Sequence, residues 1–139
     1  MTTPIGPNAS PEETILRTCR TIAVVGLSSN PMKSSYGVAW YMQKHGYRIV
    51  PVNPNESEVL GEHAYARLED IPFPVDLVDV FRRPELCLEP AEAAVRIGAK
   101  ALWLQLGIEN EAAMEVAREA GLLAVENRCL AIEHRHYMR

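Results

Sequence analysis

The residues with the clearest potential for chemistry lie in the stretch AVVGLSSNPMKSSYGVAW, residues 23–40. An apolar run ends at Gly26, a polar loop with Ser28 and Lys33 follows, and a helical pattern begins near Ser34. Backbone N–H groups at a helix N-terminus, joined by a lysine and hydroxyl groups, provide the chemistry that binds a phosphate. The stretch therefore predicts an anion-binding turn between a strand and a helix. The competing interpretation is that Ser34 merely caps the helix and that Lys33 is a solvated surface charge.

This loop departs from the glycine pattern of NAD-binding proteins. That pattern is Gly-x-Gly-x-x-Gly, followed about 20 residues later by an Asp or Glu that binds the ribose. Here Ser28 and Pro31 occupy the second and third glycine positions, and the next apolar run ends at Asn53 with no carboxylate before Glu56. With a lysine in the loop and Arg48 in the second run, a ligand that carries several phosphate groups is favoured over NAD.

Five apolar runs rich in Val, Ile and Leu supply the framework for this loop. They are TIAVVG (21–26), YRIVPV (47–52), VDLVDVF (75–81), KALWLQ (100–105) and LLAVE (122–126). Helical patterns lie between most of them, and a short opening helix starts at an N-cap, Ser10. Because buried parallel strands read as nearly continuous apolar runs, this alternation predicts an α/β fold. We expect a doubly wound, Rossmann-like parallel sheet of about five strands, in three layers with helices on both faces.

The loops that follow these runs are the expected ligand site. In open α/β sheets, ligands bind outside the carboxyl ends of the strands, near the point where the strand order reverses. The loops are polar, partly basic and rich in Gly, Pro and Asn. Ordinary connecting loops have a similar composition, so this feature alone does not decide between a site and simple connections. Residues 53–74 interrupt the alternation and predict only a fragmentary hairpin or a short helix.

Composition limits the class of protein. The 139 residues suffice for one domain with a real core, and the net charge of -4 argues against a general nucleic-acid binder. No apolar run reaches the length of a membrane span, and the first residues lack the pattern of a signal peptide. We therefore expect a cytoplasmic protein. Three cysteines without a CxxC spacing predict neither a disulfide framework nor a zinc site.

At these residues the sequence resembles the small CoA-binding proteins, which are similar in fold to the CoA-binding domain of the succinyl-CoA synthetase α subunit. The resemblance runs from about Thr21 to His134. It is carried most specifically by a Gly-x-Ser-x-x-Pro-x-Lys loop with a Val-Asn-Pro strand end, in VGLSSNPMKSSYGVAWYMQKHGYRIVPVNPN. VDLVDVFRRPE, LWLQLGIENEAA and AGLLAVENRCLAIEH extend it.

The resemblance implies coenzyme A or an acyl-CoA as the ligand, with contacts from four loops. The pyrophosphate would meet the first loop, through Gly26, Leu27, Ser28, Pro31, Lys33 and Ser34. The adenosine side would be formed by Val52, Asn53 and Pro54, with Arg48 as the basic residue at the start of that strand. The nucleotide or the pantetheine exit would be flanked by Phe81 and Arg82, while Gln105 and Gly107 would face the ligand.

The same resemblance argues against an enzyme. The synthetase carries its phosphorylated histidine on a second domain, whereas we expect residues 1–139 to form a single CoA-binding domain with a loose segment at 1–9. None of the four histidines stands in a comparable context. We therefore expect a binding module. The alternatives are an NAD(P)-type redox or metabolite sensor, and a non-catalytic subunit of an acyl-CoA ligase or transferase that a partner chain completes; a homodimer is also compatible with the sequence.

Cys129 is the candidate for covalent chemistry. It follows the last apolar run in ENRCL, beside Arg128, whose positive charge favours a thiolate. A mixed disulfide with the thiol of CoA is one interpretation, and a partly buried structural thiol is the other. Cys19 and Cys87 lie in helical patterns and are expected in the core.

The segment EHRHY at 133–137 groups Glu133, His134 and His136, as a metal site would. Its spacing fits neither a helical His-x-x-x-His pair nor a zinc knuckle, so we expect a solvated tail or a dimer contact instead. Trp40 and Trp103 are expected to pack in the core between helix and sheet.

Overall fold

The structure, a computed structural model, describes residues 6–138. Most of the segment expected to be loose, residues 1–5 of 1–9, lies outside the described residues. Within 6–138, no helix combines the length and the apolar composition that crossing a membrane requires.

The strands form one parallel five-stranded sheet and one small hairpin. In chain order they are β1 (Thr21–Val25), β2 (Arg48–Val52), β3 (Glu58–Val59), β4 (Glu62–His63), β5 (Leu77–Val80), β6 (Ala101–Leu104) and β7 (Leu123–Val125). The main sheet has the order β2-β1-β5-β6-β7, and every neighbouring pair in it is parallel. The chain first moves from β1 to one edge and then crosses back past β1 to β5. The strand order therefore reverses between β1 and β5.

Within residues 6–138, five α-helices cover the two faces of the sheet. They are α1 (Pro11–Thr18), α2 (Ser34–Lys44), α3 (Leu88–Arg96), α4 (Glu111–Glu119) and α5 (Leu130–Tyr137). One core contains residues of α3 and α4 together with Ala23, Val25 and Val80 of the strands. The other contains residues of α1, α2 and α5 together with Ile22 and Val24. Successive strand residues thus enter opposite cores, as the pleat requires, and the three-layer α/β prediction is confirmed.

Local sequence signals explain where several helices begin and end. The Ser10 hydroxyl accepts the Glu13 N–H, which confirms the predicted N-cap of α1, whereas the Glu13 side chain pairs with Arg17 instead of closing a capping box. Gly121 follows the end of α4 with a φ of 88° and donates its N–H to Arg118 O. Positive φ at this position suits a glycine, which ends the helix. Between β2 and β5 lie the β3–β4 hairpin and a short 3-10 helix, Leu68–Asp70.

Two structural expectations were wrong. The segment at 133–137, expected as a solvated tail or a dimer contact, is not a solvated tail: it belongs to α5, where His134 is buried and its Nδ1 lies 2.9 Å from the hydroxyl oxygen of Tyr41. Trp40 is 47% exposed on α2, while Trp103 is fully buried as expected. The exposed Trp40 ring is covered by its neighbour Lys44 instead of the core. Both errors concern helical faces, which short, weakly amphipathic sequences define poorly.

Candidate functional site

The loops after β1 and β5 come together where the strand order reverses. Gly26 N–H donates to Val52 O at 2.8 Å, and Phe81 N–H donates to Val25 O at 2.8 Å. Gly26 has a φ of 87°, and a Cβ placed on it would lie 2.5 Å from Phe81 O. Only glycine fits this approach of two backbones, because any side chain would collide with the carbonyl group. The glycine at position 26 therefore serves the contact between these two loops.

A cavity of about 580 Å³ opens at this point of the sheet edge. It is lined by residues of five segments: Gly26, Ser28, Lys33, Ser34, Ser35, Val38, Phe81, Arg82, Gln105, Leu106, Ile108 and Cys129. Small-molecule sites enclose roughly 300–1,000 Å³, so the volume suits an organic ligand of moderate size. Its place at the carboxyl edge, beside the reversal of strand order, is where doubly wound folds bind ligands.

The loop between β1 and α2 is held by hydrogen bonds from its own amides. Ser28 N–H donates to Ser35 Oγ at 3.1 Å, and Asn30 N–H donates to Ser28 Oγ at 3.0 Å. Ser29 N–H donates to a carboxylate oxygen of Glu56 at 2.8 Å. The loop is therefore ordered by the protein itself. The amides of Gly26 and Ser28, expected at the pyrophosphate, already have protein partners.

The start of α2 provides donors toward this cavity. Its N-cap is Lys33, which makes no side-chain capping hydrogen bond, and Ser34 is the first helical residue. The interpretation that Ser34 only caps the helix is therefore wrong. Because the first amides of a helix have no intrahelical partners, those of Ser34 and Ser35 are left for solvent or a ligand. An anion at this end would also gain from the helix dipole.

Two cations accompany the start of α2. Lys33 is exposed and Arg82 is half-buried, and both line the cavity. Arg82 also lines a second cavity of about 390 Å³ on the α3 side of the sheet edge, which includes Val52 and Pro54. Arg82 thus stands between two adjoining cavities. An elongated ligand with a negative centre could extend into both of them.

Asn53, which replaces the ribose-binding acid of NAD proteins, connects the loops after β1 and β2. Its Nδ2 donates to Leu27 O at 3.0 Å, and its Oδ1 accepts the Asn55 N–H at 3.0 Å. Both ends of the side chain are therefore used within the protein. Leu27 itself is fully buried, so its contribution to the loop is a backbone carbonyl and a core side chain.

Gln105 and Cys129 also line the cavity, and we call the part beside them its far end, because Gln105 follows β6, which β5 separates from β1. Gln105 is only 4% exposed, and its Oε1 accepts the Leu130 N–H at 3.2 Å. Cys129 is half-buried at the N-cap of α5, whereas Cys19 and Cys87 are buried in the two cores, as expected. Burial raises the pKa of each of the latter thiols to about 11. Of the three thiols, Cys129 is the one that faces the cavity.

The structure brings together half of the residues predicted to contact a ligand. The main cavity receives Gly26, Ser28, Lys33, Ser34, Phe81, Arg82 and Gln105. The second cavity receives Val52 and Pro54, and Asn53 lies between the loops beside Leu27. Pro31 is exposed in the first loop, and Gly107 lines a separate shallow hollow with Pro84, Glu109 and Asn127.

Arg48 is not brought to either cavity. It is the first residue of β2 and pairs in register with Thr21, at the amino end of the sheet. Val52, at the carboxyl end, is four residues further on, which corresponds to about 13 Å along a strand. The Arg48 guanidinium carbon lies 3.9 Å from the ring centroid of Phe73. Its expected place at the ligand is thus not supported, because a residue at the start of a parallel strand faces away from the ligand edge.

Several residues that line the main cavity were not predicted from the sequence. Val38 lies one turn into α2 and faces the cavity, while Leu106 and Ile108 follow β6. The sequence did contain one signal for these residues: they are apolar and lie next to loops predicted to bind a ligand, where apolar side chains can form the wall of the site. Within residues 6–138, no three His, Cys, Asp or Glu side chains are grouped so as to hold a metal ion.

The fold and the cavity define a doubly wound α/β domain with a ligand-sized, partly basic cavity at its switch point. A family model for a CoA binding domain matches residues 20–135. The chain belongs to this CoA binding domain family. The resemblance drawn from the sequence is thereby confirmed.

Relatives of two kinds are similar to the chain. The uncharacterized protein YneT of Bacillus subtilis is 38% identical over 128 residues, which cover 92% of this chain and 95% of that protein. The subunit alpha of an ADP-forming acetate–CoA ligase II from Pyrococcus furiosus is 30% identical over 130 residues, but the match spans only 28% of its length. A solved structure, a hypothetical protein from Pyrococcus horikoshii OT3, is 37% identical with a TM-score of 0.90, covering 100% of this chain and 99% of that one.

Proposed function

We propose that this protein binds coenzyme A or an acyl-CoA in the cavity at the switch point, as a binding module without catalytic groups of its own. The observation that carries the proposal is the convergence of the uncapped start of α2, Lys33 and Arg82 on one cavity. That arrangement suits the pyrophosphate of CoA, and membership in the CoA binding domain family supports the choice of this ligand.

The walls of the two cavities include apolar residues, which suit the adenosine and the pantetheine arm of CoA. The second cavity, with Val52, Pro54 and Pro90 in its wall, offers apolar surface to an adenosine. The main cavity continues from the cations to Val38 and Ile108, which suit the apolar stretches of a pantetheine arm. Arg82 stands at the junction, where the phosphates of a ligand that spans both cavities would lie.

The lining favours binding over catalysis. The main cavity is lined by no His, Asp or Glu among the described residues, so it presents no general acid or base pair. His45 and His134 pack against each other between α2 and α5, and His63 lies in the β3–β4 hairpin. Acid–base catalysis on the bound ligand would then require groups from outside this cavity.

Titration calorimetry with CoA, acetyl-CoA and NAD tests the proposal. We expect CoA and acetyl-CoA to bind and NAD to bind much more weakly. Lys33→Ala should weaken CoA binding about tenfold, the equivalent of one charge-assisted contact at an exposed position. Lys44→Ala is the matched control, because Lys44 carries the same charge at the opposite end of α2.

Either of two results would overturn the proposal. NAD bound more tightly than CoA would assign the cavity to a dinucleotide. CoA affinity that is equal in the wild type and in Lys33→Ala would remove the phosphate site from the start of α2.

A further inference from the structure

Gln105 presents an unused hydrogen-bond donor at the far end of the cavity. Its Oε1 accepts the Leu130 N–H, which fixes the orientation of the amide and turns the NH₂ group away from α5. Among the described residues, none makes a hydrogen bond with that nitrogen. The residue as a whole is only 4% exposed. The nitrogen itself is open to the cavity, where the carbonyl oxygen of a ligand would accept its hydrogen bond.

Cys129 is adjacent in the chain to Leu130, the residue whose N–H binds the Gln105 side chain. It precedes Leu130 and lines the same cavity as Lys33 and Gln105. Trp103 Nε1–H donates to Arg128 O at 2.8 Å, which fastens the backbone before Cys129 to the sheet. The position of the thiol is therefore set by two hydrogen bonds that link its segment to β6 and to the residue after β6.

The chemistry of CoA matches this pair of groups. The last amide carbonyl of the pantetheine arm is separated from the sulfur by a nitrogen and two carbons. A hydrogen bond from Gln105 to that carbonyl would bring the sulfur to the neighbourhood of Cys129, while the phosphates remain at the start of α2. The cavity thus has a group for each end of the arm, a cation at one end and a thiol at the other.

We propose that Cys129 captures CoA covalently by thiol–disulfide exchange with the disulfide form of CoA. The proposal rests on the proposed function of the same cavity. The Cys129 sulfur, as a thiolate, attacks one sulfur of the CoA disulfide. A new S–S bond forms between Cys129 and one CoA, the old S–S bond breaks, and the second CoA leaves as a thiolate that takes up a proton. Cys129 is oxidised, the departing sulfur is reduced, and an excess of any thiol reverses the reaction.

Intact-protein mass spectrometry tests this capture. The reduced full-length protein is mixed with CoA disulfide, and separately with hydroxyethyl disulfide, a small reagent without phosphates. We expect one CoA adduct, which peptide mapping places on Cys129 and which a reductant removes. The reaction with CoA disulfide should be at least tenfold faster than that with the small reagent. Cys129→Ser should form no adduct, and Cys19 and Cys87 serve as internal controls because they are buried.

Lys33→Ala tests whether recognition and capture occur on the same ligand. It should slow the reaction with CoA disulfide and leave the reaction with hydroxyethyl disulfide unchanged, whereas Lys44→Ala should change neither. Equal rates for both disulfides in the wild type would overturn the proposal, since Cys129 would then be an ordinary accessible thiol. An adduct on another cysteine, or none at all, would also overturn it. If calorimetry still detected CoA binding, the proposed function would remain supported although the proposed capture by Cys129 had failed.

Discussion

The carbonyl oxygen of Phe81 lies 2.5 Å from the point that a Cβ on Gly26 would occupy. Two neighbouring loops of the ligand edge therefore touch through their backbones, and the shape of the cavity depends on this contact. The positive φ of Gly26 adds a second reason for glycine, because a side chain is strained in that conformation.

Gly26→Ala should destabilise the protein strongly. The left-handed backbone costs about 1–2 kcal/mol and the collision with Phe81 adds about 1–3 kcal/mol, so we expect a loss of about 2–5 kcal/mol. Urea unfolding followed by circular dichroism measures it. Gly46→Ala is the control, since Gly46 has a φ of 92° but open space around it. Equal losses in the two variants would show that the contact with Phe81 contributes nothing.

Arg48→Ala should leave the affinity for CoA unchanged, because Arg48 lies at the amino end of the sheet. It should lower the free energy of unfolding by about 0.5–1 kcal/mol through loss of the cation–π contact with Phe73. Arg82→Ala removes the same charge at the cavity and should weaken CoA binding at least about tenfold, or 1.4 kcal/mol. Calorimetry on both variants checks the expectation. A large loss of affinity in Arg48→Ala would place the ligand outside the two cavities.

His134 should make stability depend on pH in the weakly acidic range. Burial, and secondarily the proximity of His45, lower the pKa of His134 below its usual value of 6.5. The unfolded chain therefore binds a proton at a higher pH than the folded protein does. Stability is then retained above about pH 6.5 and falls as the pH drops toward the folded pKa.

Urea unfolding between pH 5 and 7.5 measures this effect. Because the contribution of Asp79 is common to both proteins, the difference in stability between the wild type and His134→Gln isolates the effect of His134, and the wild type should lose ground to the variant as the pH falls below about 6.5. His136→Gln is the control, because His136 lies on the same helix and is exposed. A difference between the wild type and His134→Gln that stayed constant over this range would assign the proton uptake to another group.

Asp79 should have the opposite pH dependence. It is 1% exposed in the centre of β5, its Oδ1 has no hydrogen-bond partner, and burial raises its pKa well above the usual value. The folded protein therefore holds a proton that the unfolded chain releases, and stability is lost as the pH rises above about 4 toward the folded pKa. Asp79→Asn should be more stable than the wild type at pH 7.

The difference in stability between Asp79→Asn and the wild type should widen with rising pH. The increase is at most about 1.4 kcal/mol for each pH unit, since one proton is involved. Thermal unfolding at pH 5, 6 and 7 would reveal it. A constant difference over this range would mean that the Asp79 carboxyl does not titrate differently in the folded and unfolded states.

The sheet was predictable because its strands are continuous apolar runs separated by clear turn residues. The first loop was predictable for the same reason: Gly26 ends such a run, and a helical pattern follows at Ser34. The contact of Gln105 with Leu130 was not predictable, because it depends on β6 lying beside β7. The sequence indicates that Gln105 and Leu130 each follow a strand, but it does not reveal which strands are neighbours in the sheet.

Other predictions from the sequence were wrong for identifiable physical reasons. The segment of α5 contains histidines and arginine throughout, so its single buried face, marked by Leu130 and His134, gives only a weak periodic signal. Arg48 was assigned to the site by its charge and by the resemblance to the synthetase domain, although its place at the start of β2 puts it at the opposite edge of the sheet. The use of the Ser28 amide within the loop depends on the buried Ser35 hydroxyl, whose orientation no spacing reveals.

The backbone of Tyr65 closes one border of the sheet. Its N–H donates to Pro51 O at 3.0 Å, and its carbonyl accepts the Asn53 N–H at 2.9 Å. Pro51 has no N–H, and Asn53 O accepts the Glu56 N–H, so every outward backbone group from Pro51 to Asn53 is occupied or missing. A second chain therefore finds no template for strand addition beside the ligand loops. The carboxyl end of the β2 edge is thus protected against edge-to-edge aggregation.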